Sequence, residues 1–284
     1  MFHRLYRLFP AITLPLLLTA FMVSCTPPQT SDVTVAGGEE TTADPAVVLF
    51  EVDTQKGRVC TGTVVSTNAA IMAGHCIKSS TERNGVRLLR ASREVRSVQI
   101  YTWKGLVDAE TLTETTAARD LAVVVFPANT FVGALPNLRT KIDAIPGEEV
   151  RIVGYGAAGF DGLDPEVAKT AGVKRAGTNR ISDVDPEKGL ITIKTAISDI
   201  GPRNAMAASG DSGGPLFDSS GLLIGVAAGM YLEDADGEKT GLIDEGQNGL
   251  PTPVMSGAET AVNLYVDLTS EASLKLLTYA TSPE

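Results

Sequence analysis

The fold is constrained most by a series of short apolar or alternating segments, separated by turn-forming residues, that begins at residue 46. Short runs bounded by Gly, Pro, Asn and Asp are typical of the strands of a β-barrel or β-sandwich. The 28 glycines and 15 prolines favour such a turn-rich protein over a helical bundle. The sequence therefore predicts an all-β fold with strands at residues 46–52, 59–65, 95–102, 121–126, 150–155, 190–195 and 222–228.

The end of the chain has a different periodicity. Ala272, Leu276 and Ala280 recur every four residues, with Leu277 beside them. Apolar residues at this spacing share one face of an α-helix. We therefore expect a C-terminal helix over about residues 270–279 that packs on the β-structure.

The N-terminus is typical of an export signal, because Arg4 and Arg7 precede an apolar stretch over residues 8–23. This stretch contains two prolines and is shorter than the ~20 apolar residues needed to span a bilayer. Its end, Met22-Val23-Ser24-Cys25, resembles the lipobox of bacterial lipoproteins, in which the cysteine becomes acylated.

This resemblance implies an exported protein tethered to a membrane. Residues 1–24 are expected to be a lipoprotein signal peptide, 25–45 a polar tether lipidated at Cys25, and 46–284 the folded domain. The expected location is the bacterial cell envelope, as an outer-membrane lipoprotein, in the periplasm or at the cell surface. An ordinary secretory signal with an incidental Cys25 is the alternative.

The cysteine count agrees with export, because three is an odd number and one thiol must be used elsewhere. If Cys25 is lipidated, Cys60 and Cys76 remain and can form a disulfide worth ~3 kcal/mol by loop entropy. No cysteine or histidine cluster then remains for a metal. The net charge of −10 leaves no electrostatic means of holding nucleic acid.

Histidine is scarce, and this limits which residue can act as a general base. The chain has two, and His3 leaves with the signal, so an imidazole base must be His75. A single histidine is more often structural. Asp120 is one of nine aspartates between residues 108 and 211, so the residues alone do not select a partner acid.

Longer motifs select these residues. Met72-Ala73-Gly74-His75-Cys76 and Gly210-Asp211-Ser212-Gly213-Gly214-Pro215 resemble the histidine and nucleophile motifs of the chymotrypsin-like (trypsin family) serine endopeptidases. Arg119-Asp120-Leu121-Ala122 resembles the segment that carries the acid of that family. Cys60-Thr61-Gly62-Thr63 and Gly154-Tyr155-Gly156 resemble its Cys-Gly-Gly-Ser and Gly-Trp-Gly. The resemblance covers about residues 35–279.

The resemblance implies two packed antiparallel six-stranded β-barrels with the catalytic cleft between them. It implies that Ser212 attacks a protein or peptide substrate, that His75 takes the proton, and that Asp120 orients the imidazole. The backbone amides of Gly210 and Ser212 would form the oxyanion hole. This acyl transfer needs no cofactor, and the sequence indicates nothing about the oligomeric state.

Two further expectations follow from the resemblance. Asp211 would bind a new N-terminus at Val35, where Val35-Ala36-Gly37-Gly38 resembles Ile-Val-Gly-Gly, although Thr34 precedes it instead of Arg or Lys. Met206, followed by Ala207, would form the base of the specificity pocket. An uncharged base favours cleavage after small or medium apolar residues. In the alternative, Met206 is simply core and Asp234 or Asp236 reaches the pocket.

Other functions fit less well. Gly210 to Gly214 also fits the Gly-x-Ser-x-Gly of lipases, but that fold needs a histidine after the serine, and none follows Ser212. The acidic run at 233–238 lacks the flanking ligands of an EF-hand, because residue 232 is Leu and residue 243 is Ile.

The run opens a loop over residues 231–257 that could shape substrate access. The alternative from another class is a catalytically weak trypsin-fold binding module.

Overall fold

The computed structural model describes residues 35–53, 58–78, 86–90, 93–103, 114–141, 144–159, 170–242 and 257–281. They belong to one compact unit, Asp32–Glu284. The predicted signal peptide, Cys25 and Thr34 lie outside these residues, as do residues 243–256. Within the described ranges, no helix is both long enough and apolar enough to cross a bilayer.

The described residues form two antiparallel sheets and three α-helices. The strands are β1 Glu39–Glu40, β2 Val47–Asp53, β3 Arg58–Val64, β4 Ala69–Met72, β5 Arg87–Arg90, β6 Arg93–Arg96, β7 Gln99–Thr102, β8 Ala122–Val125, β9 Glu149–Gly154, β10 Arg175–Arg180, β11 Asp183–Asp185, β12 Leu190–Ala196, β13 Pro215–Asp218, β14 Leu223–Glu233, β15 Lys239–Leu242 and β16 Thr260–Asp267. The helices are α1 His75–Lys78, α2 Glu114–Ala117 and α3 Glu271–Thr281.

The first sheet has seven described strands in the order β6-β5-β2-β3-β4-β8-β7. The predicted strand over residues 95–102 is wrong in one respect. It is two strands, β6 and β7, which lie at opposite edges of this sheet. Between them, the backbone N–H of Ser97 donates to the carbonyl of Val86 before β5, and that of Val98, whose surface is 67% exposed, donates to the carbonyl of Val125 on β8.

The second sheet has nine described strands. Eight follow the order β1-β10-β9-β13-β14-β16-β12-β11, and β15 pairs with β14. The short strands β1, β11 and β15 are additions, so a central set of six remains. The all-β fold that the resemblance implies, with two antiparallel six-stranded β-barrels, is confirmed, and the structure forms it as two curled antiparallel sheets.

Alternate residues of the same strands bury different cores, which explains why both sheets are apolar on both faces. On β8, Val124 packs in the core of the first sheet, whereas Val123 packs against residues of the second sheet. On β9, Ile152 packs in the core of the second sheet and Val153 faces the first. The layer between the sheets holds them together.

The C-terminal helix is confirmed as α3, and it packs on the layer between the sheets. Its buried face differs from the predicted one. Leu276, Leu277 and Ala280 are buried, but Ala272 is exposed and Ser273 is buried in its place. The hydroxyl of Ser273 is bonded to that of Ser270, 3.0 Å away, which satisfies a polar group at this buried position.

Candidate active site

His75 and Asp120 meet because β4 and β8 pair in antiparallel register. Met72, the last residue of β4, lies opposite Ala122, the first residue of β8. His75 follows β4 by three residues and Asp120 precedes β8 by two, so both lie at the same edge of the sheet. Both are nearly inaccessible, with exposures of 4% for His75 and 1% for Asp120.

Asp120 holds the imidazole with both of its carboxylate oxygens. Oδ2 lies 2.6 Å from Nδ1 of His75, and Oδ1 accepts the backbone N–H of the same residue at 2.7 Å. A carboxylate accepts hydrogen bonds, so the arrangement favours the tautomer that carries its proton on Nδ1. Nε2, which is also buried, then has the lone pair that can accept a proton.

Ser212 lies on a loop of the second sheet that contacts the first sheet beside His75. The backbone N–H of Thr61 on β3 donates to the carbonyl oxygen of Ser212 at 3.0 Å. The sulfur of Cys76, the residue after His75, lies 3.9 Å from that same oxygen. The structure thus brings the backbone of Ser212 next to the segment that carries His75.

Gly213 permits this close approach. Its φ of +84° is a conformation that residues with a side chain rarely adopt. A Cβ atom there would lie 2.7 Å from the backbone nitrogen of Ala73 and 2.9 Å from Cα of Met72. Any larger residue would push the Ser212 loop away from the strand that leads to His75.

The predicted disulfide between Cys60 and Cys76 is confirmed. It joins β3 to α1, with 6.5 Å between the two Cα atoms. The two sulfurs and a ring nitrogen of His75 all lie within 4.8 Å of one another. Because the sulfurs are bonded to each other, neither is a thiolate that could bind a metal.

Asp211 points into the second sheet. Its Oδ1 accepts the N–H of Gly156 at 2.7 Å, and its Oδ2 accepts the N–H of Ala208 at 2.9 Å. Residues 35–40, expected to be part of the tether, pack in the same region. Val35 and Ala36 are 0% and 1% exposed, and their core cluster includes residues 205–208.

The segment around Met206 is buried and held by polar contacts. Its N–H donates to the carbonyl of Ala36 at 2.9 Å, and its side chain is fully buried. Asn179 donates to the carbonyl of Ala205 at 2.8 Å, and its Nδ2 lies 3.4 Å from the sulfur of Met206. The side chain of Met206 therefore faces the interior.

Asn263 on β16 is a contact that sequence reasoning missed. Its Oδ1 accepts the N–H of Ala207 at 2.6 Å and its Nδ2 donates to the carbonyl of Ala207 at 3.1 Å. The side chain thus pairs with Ala207 as a neighbouring strand would. The available signal was an asparagine between Val262 and Leu264 in an otherwise apolar run.

Asp234 and Asp236, the alternative acids for the pocket, lie in the turn between β14 and β15. One oxygen of Asp234 accepts the backbone N–H groups of Asp236 and Glu238 at 3.0 and 2.9 Å. These are the contacts of an acid that closes its own turn.

Comparisons with known proteins concern the family and the fold of the chain. A family model described as Trypsin matches residues 35–245. An uncharacterised peptidase of Corynebacterium glutamicum (strain R) is 28% identical over 223 residues, which cover 78% of this chain and 68% of that protein. A putative peptidase from strain ATCC 13032 of the same species matches to the same extent.

A solved structure of a Glu endopeptidase in complex with MPD has a similar fold. Its TM-score is 0.55, with 16% sequence identity, and the match covers 89% of this chain and all of that one.

Proposed function

The chain belongs to the trypsin family, and on that premise we propose that it is a serine endopeptidase that cleaves peptide bonds through an acyl-enzyme on Ser212. The observation that carries the proposal is the buried pair of Asp120 and His75, 2.6 Å apart, with the Ser212 loop bonded to the adjacent strand.

In the proposed first step, the hydroxyl oxygen of Ser212 attacks the substrate carbonyl carbon while Nε2 of His75 takes the hydroxyl proton. Asp120 accepts the hydrogen bond from Nδ1–H throughout, without taking the proton, and stabilises the imidazolium. The backbone amides of Gly210 and Ser212 donate to the oxyanion that develops. The imidazolium then protonates the leaving amine, and the C–N bond breaks.

In the second step, water replaces the amine. His75 takes a proton from the water, and the water oxygen attacks the acyl carbon. The bond between this carbon and the oxygen of Ser212 then breaks, and His75 returns the proton to the Ser212 oxygen. Every proton transfer in the two steps therefore passes through the imidazole of His75. Neither step, as proposed, requires a metal ion or a cofactor.

Replacing Ser212 with Ala tests the proposal. Hydrolysis of a fluorescently labelled casein should fall by at least about 10³-fold, because the nucleophilic oxygen is removed. The matched control is Ser219→Ala, which changes an exposed serine in the turn between β13 and β14 and should keep full activity. Residual activity of Ser212→Ala within tenfold of wild type, with unchanged circular dichroism, would contradict the assignment of the nucleophile.

Asp211 has the proposed role of binding the amine of Val35 after cleavage of the bond before it. Support comes from the burial of Val35 in the same core cluster as residues 205–208, from the bond between Met206 and the carbonyl of Ala36, and from the bond of Asp211 to Ala208. An ammonium group in such a buried place needs a carboxylate partner.

A chain with a specific protease site directly before Val35 tests this role. Peptidase activity should rise when the protease removes the residues before Val35, and this rise should be absent in Asp211→Asn. Equal activity before and after removal would refute the role.

The proposed specificity is cleavage after small or medium apolar residues, with the segment of Met206 and Ala207 at the base of the pocket. Support comes from the uncharged, buried side chains there, since an unpaired Lys or Arg would lose its hydration without compensation. Turnover of otherwise identical peptides with Leu, Ala, Arg or Glu before the cut tests it. A preference for Arg or Glu by more than about tenfold would overturn it.

Export and lipidation at Cys25 form a separate proposal, supported by the lipobox-like sequence and by a disulfide, which persists in oxidising compartments. Cleavage before Val35 would separate the folded domain from Cys25, so the test uses the uncut chain. In that chain, Cys25→Ser should lose incorporation of a fatty-acid analogue and move the protein from the membrane to the soluble fraction. Unchanged incorporation in this variant would remove the proposal.

A further inference from the structure

Thr61 differs from the family pattern at a structurally central position. The sequence Cys60-Thr61-Gly62-Thr63 resembles Cys-Gly-Gly-Ser, so this chain has a threonine side chain where that pattern has none. The side chain is fully buried, with 0% exposure. Most buried hydroxyl groups in proteins are hydrogen-bonded, and the partners of this one indicate what it does.

The hydroxyl of Thr61 connects three elements. It donates to the carbonyl oxygen of Gly210 at 2.9 Å and accepts the backbone N–H of Tyr155 at 3.0 Å. The backbone N–H of Thr61 donates to the carbonyl of Ser212. One residue of the first sheet thus holds both ends of the Gly210–Ser212 segment and attaches it to the end of β9.

These bonds fix the peptide unit between Gly210 and Asp211 at both of its polar atoms. Its carbonyl accepts from Thr61 and its N–H donates to the carbonyl of Ala208 at 2.9 Å. Gly210 has a φ of +94° and no side chain to restrict it. The N–H of Gly210 belongs to the preceding peptide unit, whose Ser209 carbonyl accepts the N–H of Ala157 at 2.7 Å, and the N–H of Ser212 belongs to the following unit. The unit that Thr61 holds therefore lies between these two N–H groups, and its orientation sets the angle between them.

We propose that the Thr61 hydroxyl is a positioning group for the oxyanion hole. It holds the peptide unit between Gly210 and Asp211, which lies between the two donors, so that the Gly210 and Ser212 amides converge on the developing negative charge. This inference rests on the proposed function, because it concerns the same site. Thr61 touches neither the substrate nor the reacting atoms in this account. It acts only through the backbone of Gly210, since preorganised donors stabilise the transition state more than the substrate.

Matched substitutions on β3 isolate the hydroxyl. Thr61→Val removes the hydroxyl and keeps the shape, Thr61→Ala removes it without adding bulk, and Thr61→Ser restores it. Thr63→Val is the control. Thr63 is on the same strand and also fully buried, but its hydroxyl has no hydrogen-bond partner among the described residues.

The measurements are kcat and KM on one peptide and the affinity for a peptide aldehyde, whose adduct with a serine carries an oxyanion. Thr61→Val and Thr61→Ala should lower kcat about tenfold, with KM within about twofold. The aldehyde should bind about tenfold more weakly. Thr61→Ser should recover both quantities to within about threefold, and Thr63→Val should match wild type.

Other results would overturn the inference. If Thr61→Val lowers the melting temperature while kcat and aldehyde affinity stay at the wild-type values, Thr61 is only structural. If Thr63→Val lowers kcat as much as Thr61→Val does, the loss does not come from the Thr61 hydrogen bonds, and the inference is wrong. If the wild-type protein neither cleaves peptides nor binds the aldehyde, the proposed function fails and this inference fails with it. An active wild type with unaffected Thr61 variants refutes the inference alone.

Discussion

Replacing Asp120 with Asn should remove almost all activity while the fold persists. The two carboxylate oxygens accept from the backbone N–H and from Nδ1 of His75, at 2.7 and 2.6 Å. The backbone N–H can only donate, so the amide oxygen of Asn must stay there and its NH₂ must face Nδ1. Nδ1 then has to accept, and the ring proton moves to Nε2. An imidazole with its proton on Nε2 cannot take the proton of Ser212.

The expected loss is about 10⁴-fold in kcat, or about 5.5 kcal/mol in the activation free energy. Peptide hydrolysis measures it, with Asp236→Asn, an exposed aspartate, as the control. Ring ¹⁵N chemical shifts report the tautomer directly, because the chain has only two histidines, His3 and His75. Activity of Asp120→Asn within tenfold of wild type, or a ring proton that stays on Nδ1, would refute this reasoning.

Three further predictions concern stability. Reducing the Cys60–Cys76 disulfide should lower the free energy of unfolding by ~3 kcal/mol in urea titrations, and no change would contradict the entropic account. Burial, and secondarily the charge of Asp211, raises the pKa of Tyr265 well above its usual value. The unfolded state therefore ionises first as pH passes about 10, and stability falls there. Tyr265→Phe should reduce this alkaline loss, and an unchanged slope of stability against pH would contradict it. Asn263→Leu leaves two buried backbone groups unpaired and should cost about 3 kcal/mol by thermal or urea unfolding. A loss below about 0.5 kcal/mol would show that these bonds contribute little.

The strands that begin after clear turn residues and are rich in valine, leucine or isoleucine were predictable from the sequence, and this includes β8 and β14, which are buried on both faces. β2, β3, β8, β9, β12 and β14 each coincide with a predicted segment to within a few residues. β4, with the sequence Ala69-Ala70-Ile71-Met72, was missed. Its four side chains are all buried, so nothing alternates, and it lacks the run of valines that marks β8 as a strand. A strand of this kind has no periodicity that separates it from a short helical segment.

The His75 and Asp120 pair was predictable because each residue lies in a recognisable motif, although only the register of β4 and β8 explains why they meet. The contacts of Thr61 with Gly210 and of Asn263 with Ala207 were not. They join residues 149 and 56 positions apart, and no local spacing indicates such pairs. The sequence predicts which residues react, and the fold determines which residues hold them in place.

The central claim is that Ser212 is an activated nucleophile, and covalent labelling tests it most directly. Protein whose chain has been cut before Val35 is incubated with an aryl phosphonate that reacts with activated serines, digested, and mapped by mass spectrometry. The account predicts one adduct, on the peptide that contains Ser212, and its absence in His75→Ala. An adduct on a different serine, or no adduct on folded protein that still binds peptides, would contradict the account and favour a trypsin-fold binding module.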